Sequence, residues 1–171
     1  MNSMYAKQFV MGIEYQMGFY LSRASWAMSS YLKSRLCQHG LREVQVGFIG
    51  VLMALDKRDG QRLSELGLAI SLEKSTMTGL IDRMERAKLV RRQLNPEDRR
   101  AYRVCLTDRG RAVAPELRNL LVKSYQDLTG GMNAGELEMV RRNLIQLIKN
   151  SNRLEKKDRP AKTLFRSKRA Y

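Results

Sequence analysis

The sequence predicts a mainly α fold with one small β-hairpin, and three stretches carry that prediction. Two short amphipathic patterns follow one another over Leu63–Ala87. Two strand-like runs come next, Leu89–Leu94 and Ala101–Leu106, joined by the turn Asn95-Pro96-Glu97-Asp98. Longer helical patterns lie before and after this block, over Met1–Leu36 and from Thr107 to about Asn152. Two helices, a turn and a hairpin in that order spell a winged helix-turn-helix core, with N- and C-terminal helices added around it. A unit of this kind binds duplex DNA with one helix in the major groove and the hairpin beside it.

The second helix of the pair, Glu73–Ala87, carries the reading face. Met77, Leu80, Ile81 and Met84 recur at i, i+3, i+4 and i+7 and make one apolar stripe that must face the core. Ser75, Thr78, Gly79, Asp82 and Arg86 then face away, with Lys74, Thr76 and Arg83 on the flanks. Short hydroxyl side chains near a helix N-terminus suit close approach to base edges and phosphates, and the helix dipole adds partial positive charge there. An ordinary amphipathic helix with a solvated polar face has the same pattern. The hairpin tips the balance. Its turn follows from Pro fixing φ and from Asn and Asp satisfying the turn backbone, and it presents Asp98-Arg99-Arg100 beside the pair Arg91-Arg92. An Arg at such a tip fits a minor groove, where negative potential is concentrated, and an acidic residue two positions earlier can hold its planar fork in one orientation.

The runs STMTGLIDRMERAKLVRR and NPEDRRAYRVCLTDRGR resemble the MarR family of bacterial regulators. The most specific parts are Ser75-Thr76-x-Thr78 followed by Asp82-Arg83, the wing Asp98-Arg99-Arg100, and the exit Leu106-Thr107-x-x-Gly110-Arg111. The resemblance extends more weakly over Gly18 to about Asn152. It implies a homodimer that binds a pseudo-palindromic DNA operator as a transcriptional repressor and responds to small aromatic acids. It also implies an N-terminal dimerisation helix over 1–36, a DNA-binding lobe over 37–111 and C-terminal dimerisation helices over 112–152; the basic tail over 153–171, read from its composition as flexible, is an addition to the family pattern. One position departs from the family, whose members often have Gly before the Leu-Val pair that opens the wing. Here it is Lys88. Either the helix ends differently, or Lys88 takes the left-handed conformation at a cost of about 1 kcal/mol.

Taken in order, Met17, Tyr20, Leu21, Ala24, Met28, Tyr31 and Leu32 lie at helical spacing, and Gly40 is a natural stop for the first helix. A second helix is expected from Arg42 to Lys57, with Val44, Phe48, Val51, Leu52 and Leu55 on one side. Asp59-Gly60 is a turn, Leu63 a short strand that pairs with the wing, and Ser64 the N-cap of the next helix, with Glu65 in its first turn. Thr107 caps a long helix to about Thr129, where Pro115 implies a late start or a bend. Gly130-Gly131 ends it. Asn133 and Glu136 form a capping box for the last helix, whose face is Leu137, Val140, Leu144, Leu147 and Ile148. The outer helices have more apolar surface than a small winged helix uses, so they want a partner. The alternative is an intramolecular helical cap.

Composition narrows the function classes. The 171 residues carry 32 Lys and Arg against 17 Asp and Glu, a net +15, which favours polyanions. No apolar run reaches membrane-spanning length, Lys7 and Glu14 interrupt anything like a signal peptide, and two cysteines do not make a disulfide framework. The expectation is bacterial cytoplasm, on the nucleoid, with no membrane partner. An enzyme is not expected: there is one His, no GxxxxGK[ST] loop and no zinc spacing of Cys and His, so neither cofactor nor metal is implied. Asp82, Glu85 and Asp98 read as helix pairs and a wing brace rather than metal ligands. The rival class is a sequence-indifferent, nucleoid-type DNA- or RNA-binding protein, for which Lys and Arg alone would suffice.

The expected DNA contacts are Ser75, Thr76 and Thr78 in the major groove, Lys74 and Arg83 on phosphates, and Arg100 in the minor groove, with Asp98 orienting it and Arg99 on the backbone. The expected effector is a small aromatic carboxylic acid. Trp26, Tyr31 and Phe48 would frame its ring, and Arg23 or His39 would meet its carboxylate. Each has a plainer alternative: packing for the aromatics, and capping of the first helix for His39. A thiol sensor would use Cys37 or Cys105, but neither lies near the start of the first helix, where the family's peroxide sensors place theirs. The tail from Arg153, rich in Lys and Arg, is read as a solvated terminus, as a basic arm on phosphates, or as a segment docking through Leu164, Phe165 and Tyr171.

Overall fold

The computed structural model describes residues 12–95 and 98–158, and the chain divides into two compact units, Met1–Leu128 and Thr129–Tyr171. The first unit is mainly helical around a three-stranded antiparallel sheet in the order β1-β3-β2.

Helix α1 spans Ile13–Gln38; residues 1–11 of the expected first helix lie outside the described residues. Gly40, at φ +76°, lets the chain leave it, and the Leu41 N–H donates to the Leu36 carbonyl at 2.9 Å. The helix expected from Arg42 does not begin there. The chain is irregular to Gln45, makes a 3-10 turn over Val46–Phe48, and then enters α2, Ile49–Lys57. Leu41 and Val44 are both buried, and the Val44 N–H donates to the Leu41 carbonyl. The segment is therefore anchored like a helix turn while Gln45 is extended, at ψ 149°.

Strand β1 is Gln61–Arg62, pairing Gln61 with Val104 and Arg62 with Arg103. Leu63, expected in that strand, opens helix α3, Leu63–Ile70. The cap is Arg62 rather than Ser64, because the chain turns into the helix directly from the paired strand. The Glu65 carboxylate accepts the Arg62 N–H at 2.7 Å. Helix α4 spans Lys74–Arg86, and strands β2 and β3 span Val90–Asn95 and Asp98–Leu106. Helix α5, Asp108–Leu128, starts without delay and holds Pro115 inside it. Thr107 caps it as expected, accepting the Gly110 N–H at 3.0 Å. The core collects Phe48, Val51, Leu52 and Leu55 with Leu66, the α4 stripe, Leu89 and Leu117, all buried.

The second unit is helix α6, Ala134–Asp158. The expected capping box is present: the Asn133 N–H donates to Glu136 Oε2 at 2.8 Å and the Glu136 N–H to Asn133 Oδ1 at 3.0 Å. The helix overruns the expected boundary at 152. Nothing in Arg153–Asp158 breaks a helix, whereas Pro160 disfavours helical backbone in the residue before it. Residues 159–171, with Leu164, Phe165 and Tyr171, lie outside the described residues.

Candidate nucleic-acid interface

Helix α4 is set by its buried stripe. Met77, Ile81 and Met84 are fully buried and Leu80 nearly so, while Ser75, Thr76, Thr78, Asp82, Arg83 and Arg86 on the other side are exposed. The turn from α3 into α4 is tight. Ser71 is left-handed at φ 56°, the Leu72 N–H donates to the Gly67 carbonyl at 2.9 Å, and a Cβ on Gly67 would meet the Leu72 carbonyl oxygen at 2.9 Å. Only a glycine lets that turn close, and it aims the first turn of α4 outward. The side chains of Lys74, Asp98, Arg99 and Arg100 lie outside the described residues. The backbone of Asp98-Arg99-Arg100, expected in a loop, belongs to β3, with Asn95 paired to Asp98 and an irregularity at Leu94/Asn95. The basic motif thus stands on a strand end, because β3 continues further than its apolar alternation.

The wing is rooted at Lys88, which takes the left-handed conformation, φ 58°. Its N–H donates to the Glu85 carbonyl and the Leu89 N–H to the Met84 carbonyl. From the far side, the Thr107 hydroxyl donates to the Lys88 carbonyl at 2.6 Å, and the Thr107 N–H donates to the Leu89 carbonyl at 3.1 Å. A Cβ on Gly110 would stand 2.1 Å from that same Leu89 oxygen. The exit Leu106-Thr107-x-x-Gly110 is therefore a close approach of α5 to the wing root.

Further along β2, Arg92 reaches back to α4. Its guanidinium donates to Asp82 Oδ1 at 2.7 Å and, in a short contact, to Glu85 Oε2, and its backbone N–H donates to Glu85 Oε1 at 2.8 Å. Asp82 and Glu85 were expected to pair within their own helix; the hairpin register brings Arg92 to both instead. Arg109, Arg111 and Arg118 on α5 pair with Glu43, Asp59 and Asp56. A hydrogen bond from its own backbone first, and Arg109 second, hold the Glu43 carboxyl below its ordinary 4.5.

Four of the five expected effector residues have other roles. Phe48 is 1% exposed and belongs to the core. The Tyr31 hydroxyl donates to Asp127 Oδ2 at 2.9 Å, a bond that raises its pKa. The backbone of His39 caps α1, and its side chain is exposed. The Arg23 guanidinium lies 5.6 Å from the centre of the Phe19 ring. Trp26 lines an open groove of about 890 Å³ between α1 and the 41–46 segment, together with Ser29, Ser30, Lys33, Arg42 and Gln45. Lys33 and Arg42, which the sequence alone did not single out, place cations on this groove. Lys33 sits two turns after Trp26 on the same helix face, a spacing that marks it. Cys37 also lines the groove, and Cys105 is buried, with burial and then the Asp59 charge pushing its thiol up, away from a reactive thiolate.

Among the described residues, no helix is long and apolar enough to cross a membrane, and no cluster of three acidic, His or Cys side chains is placed to hold a metal. A model described as the MarR family matches residues 49–102. The HTH-type transcriptional regulator SarZ of Staphylococcus aureus is 26% identical over 115 residues, covering 58% of this chain and 78% of its own. Among solved structures, Bordetella bronchiseptica BpsR superposes with a TM-score of 0.69 at 24% identity, covering 80% of this chain and 97% of its own; that work concerns regulation of its DNA binding by 6-hydroxynicotinic acid. Reduced AbfR bound to DNA superposes with a TM-score of 0.63 at 22% identity, covering 81% of this chain and 92% of its own. These likenesses show the fold, a winged helix-turn-helix with added helices.

Proposed function

We propose that this chain is a DNA-binding transcriptional regulator of the MarR family, a reading supported by the family model over residues 49–102 and the likeness to SarZ, and that it acts as a homodimeric repressor of a pseudo-palindromic operator, released by a small aromatic carboxylic acid. The observation that carries the DNA reading is α4. Its core side is fully buried and its Ser75-Thr76-x-Thr78 edge is exposed beside a wing rooted rigidly at Lys88. Ser75, Thr76 and Thr78 are assigned to base edges in the major groove. Lys74 and Arg83 are assigned to phosphates and Arg100 to the minor groove, with Asp98 orienting it and Arg99 on the backbone.

Dimerisation is supported by apolar side chains that α1 leaves in solvent. Met17, Phe19, Tyr20, Leu21 and Met28 of α1 are exposed, as are Val122, Tyr125 and Leu128 of α5. In α6, taken by itself, Val140, Leu144, Ile145 and Ile148 are exposed. Exposed apolar side chains in such number, in each unit taken by itself, want a partner, and a two-fold pair of reading helices matches a two-fold operator. The effector is assigned to the Trp26 groove, with the indole as ring face and Lys33 or Arg42 meeting the carboxylate. The Arg23, Tyr31, His39 and Phe48 assignment is withdrawn.

The test is fluorescence anisotropy with the chain's own upstream promoter DNA against scrambled DNA of equal length, over a salt series. A specific preference that survives moderate salt is the expected result. Equal affinity with a steep salt slope would replace this reading with a sequence-indifferent binder driven by net charge. Adding benzoate-, cinnamate- and pyridine-type acids to the same assay tests the effector.

A further inference from the structure

We propose that Arg92, through one guanidinium shared between Asp82 and Glu85, is a positioning residue that sets the wing at a fixed angle to the reading helix and thereby determines operator selectivity. The proposal rests on the DNA reading above and adds to it a residue that touches no DNA.

Asp82 and Glu85 are three positions apart on α4, so their carboxylates lie one turn apart on one face. Both receive the same side chain from β2. Glu85 also takes the strand's own backbone N–H at Arg92, so it holds main chain and side chain together. Arg92 pairs with Val104 in the middle of the hairpin, well past the root at Lys88 and Thr107. At that level β1 holds the β3 edge of the hairpin, through Val104 and Arg103; Arg92 ties the β2 edge to α4, which keeps the tip in register with the reading helix. A lysine is a point charge and cannot span two carboxylates as a planar fork does. The neighbouring Arg91 is exposed. The clamp also offsets part of the negative charge of two acids on a surface read as facing phosphates, and the test separates these two roles.

The variants are Arg92→Met and the double change Asp82→Asn with Glu85→Gln, each verified as folded by thermal midpoint and circular dichroism. Two readouts are taken: hydrogen exchange of the β2 and β3 amides without DNA, and anisotropy with promoter and scrambled duplexes over a salt series. The expected result is faster exchange in the outer wing and an operator preference lowered about tenfold in both variants. The salt slope of Arg92→Met stays at the wild-type value, whereas loss of a direct phosphate contact would lower it by about 1. The carboxylate variant is the sharper arm, because removing two negative charges strengthens binding to any duplex if charge is all that matters. Unchanged exchange in the wing overturns the clamp whatever DNA does. Faster exchange with operator preference intact, or a lowered salt slope in Arg92→Met, overturns the positioning role. A wild-type protein without operator preference overturns the DNA reading instead, while the exchange measurement still decides whether the clamp holds the wing.

Discussion

Gly110→Ala tests the junction between α5 and the wing most directly. An alanine Cβ would stand 2.1 Å from the Leu89 carbonyl oxygen and 3.1 Å from Leu106 Cδ2. The oxygen belongs to backbone, so relief requires α5 and the wing root to part by roughly 1.4 Å, since non-bonded contacts settle near 3.5 Å. Overpacking of this kind costs about 2–3 kcal/mol. The parting also stretches the Thr107 N–H bond to the same oxygen, 3.1 Å in the native chain, a loss of about 1 kcal/mol. Against this, alanine is better than glycine inside a helix by about 1 kcal/mol. The net expectation is a loss of about 2–3 kcal/mol, equivalent to roughly 5–10 °C in Tm for a chain of this size. Urea and thermal unfolding at fixed protein concentration measure it, the concentration being held because a dimer's stability depends on it. A variant with unchanged or raised Tm would refute the close approach, for helix propensity would then be the only term left.

The opposite sign is expected one step away. Lys88→Gly relieves a left-handed lysine and gains about 0.5–1 kcal/mol after the added unfolded-state freedom of glycine; a lower urea midpoint at unchanged m would count against it. Glu43→Gln should flatten the acid limb of the stability curve. The lowered carboxyl of Glu43 contributes stability that is fully present above its ordinary 4.5 and is lost as pH falls through the lowered folded value. The gap between wild type and variant therefore closes below about pH 4.5, and a gap that instead widens on acidification would exclude the Arg109 pairing. Arg100→Ala should cost about 1–3 kcal/mol of operator affinity, and Asp98→Ala part of that. The two losses should not add if they act as one unit, so additivity in a double-mutant cycle dismisses the brace.

What was legible follows from periodicity. The α4 stripe announces itself because burial imposes a period of 3.6 on the chain, and the α1 face shows the same period although Met17, Tyr20, Leu21 and Met28 are exposed. The Thr107 cap and the Asn133–Glu136 box are equally local. The errors come where a non-local pairing decides. Leu41 and Val44 have helical spacing because both are buried, yet they anchor an irregular segment. Ser64 has the right chemistry for a cap, but the chain turns from β1 into the helix at Arg62, two residues too early to use it. Tyr31 and Phe48 are aromatic in the expected region, and only the fold shows that Asp127 and the core claim them. Arg92 looks like one more wing cation. Its sequestering by Asp82 and Glu85 depends on hairpin register, which side-chain identities alone do not reveal.

The two attachments of the wing constrain how an effector can work. Lys88 and Leu89 are held by Thr107 and packed against Gly110, and Arg92 is held by α4. A wing so fixed moves with its reading helix as one body, so an effector in the Trp26 groove has little purchase on the wing alone. The groove is bounded instead by α1 and by the 41–46 segment. Glu43 of that segment is tied to Arg109, next to the cap that holds the wing root. Displacing the segment therefore pulls on the whole DNA-binding lobe through its base. In the proposed dimer this changes the separation and tilt of the two reading helices, a rigid-body change that mismatches a two-fold operator without unfolding either half. Release by effector should then leave wing hydrogen exchange unaltered while operator affinity falls, and a wing that loosens on effector binding would place the switch in the clamp instead.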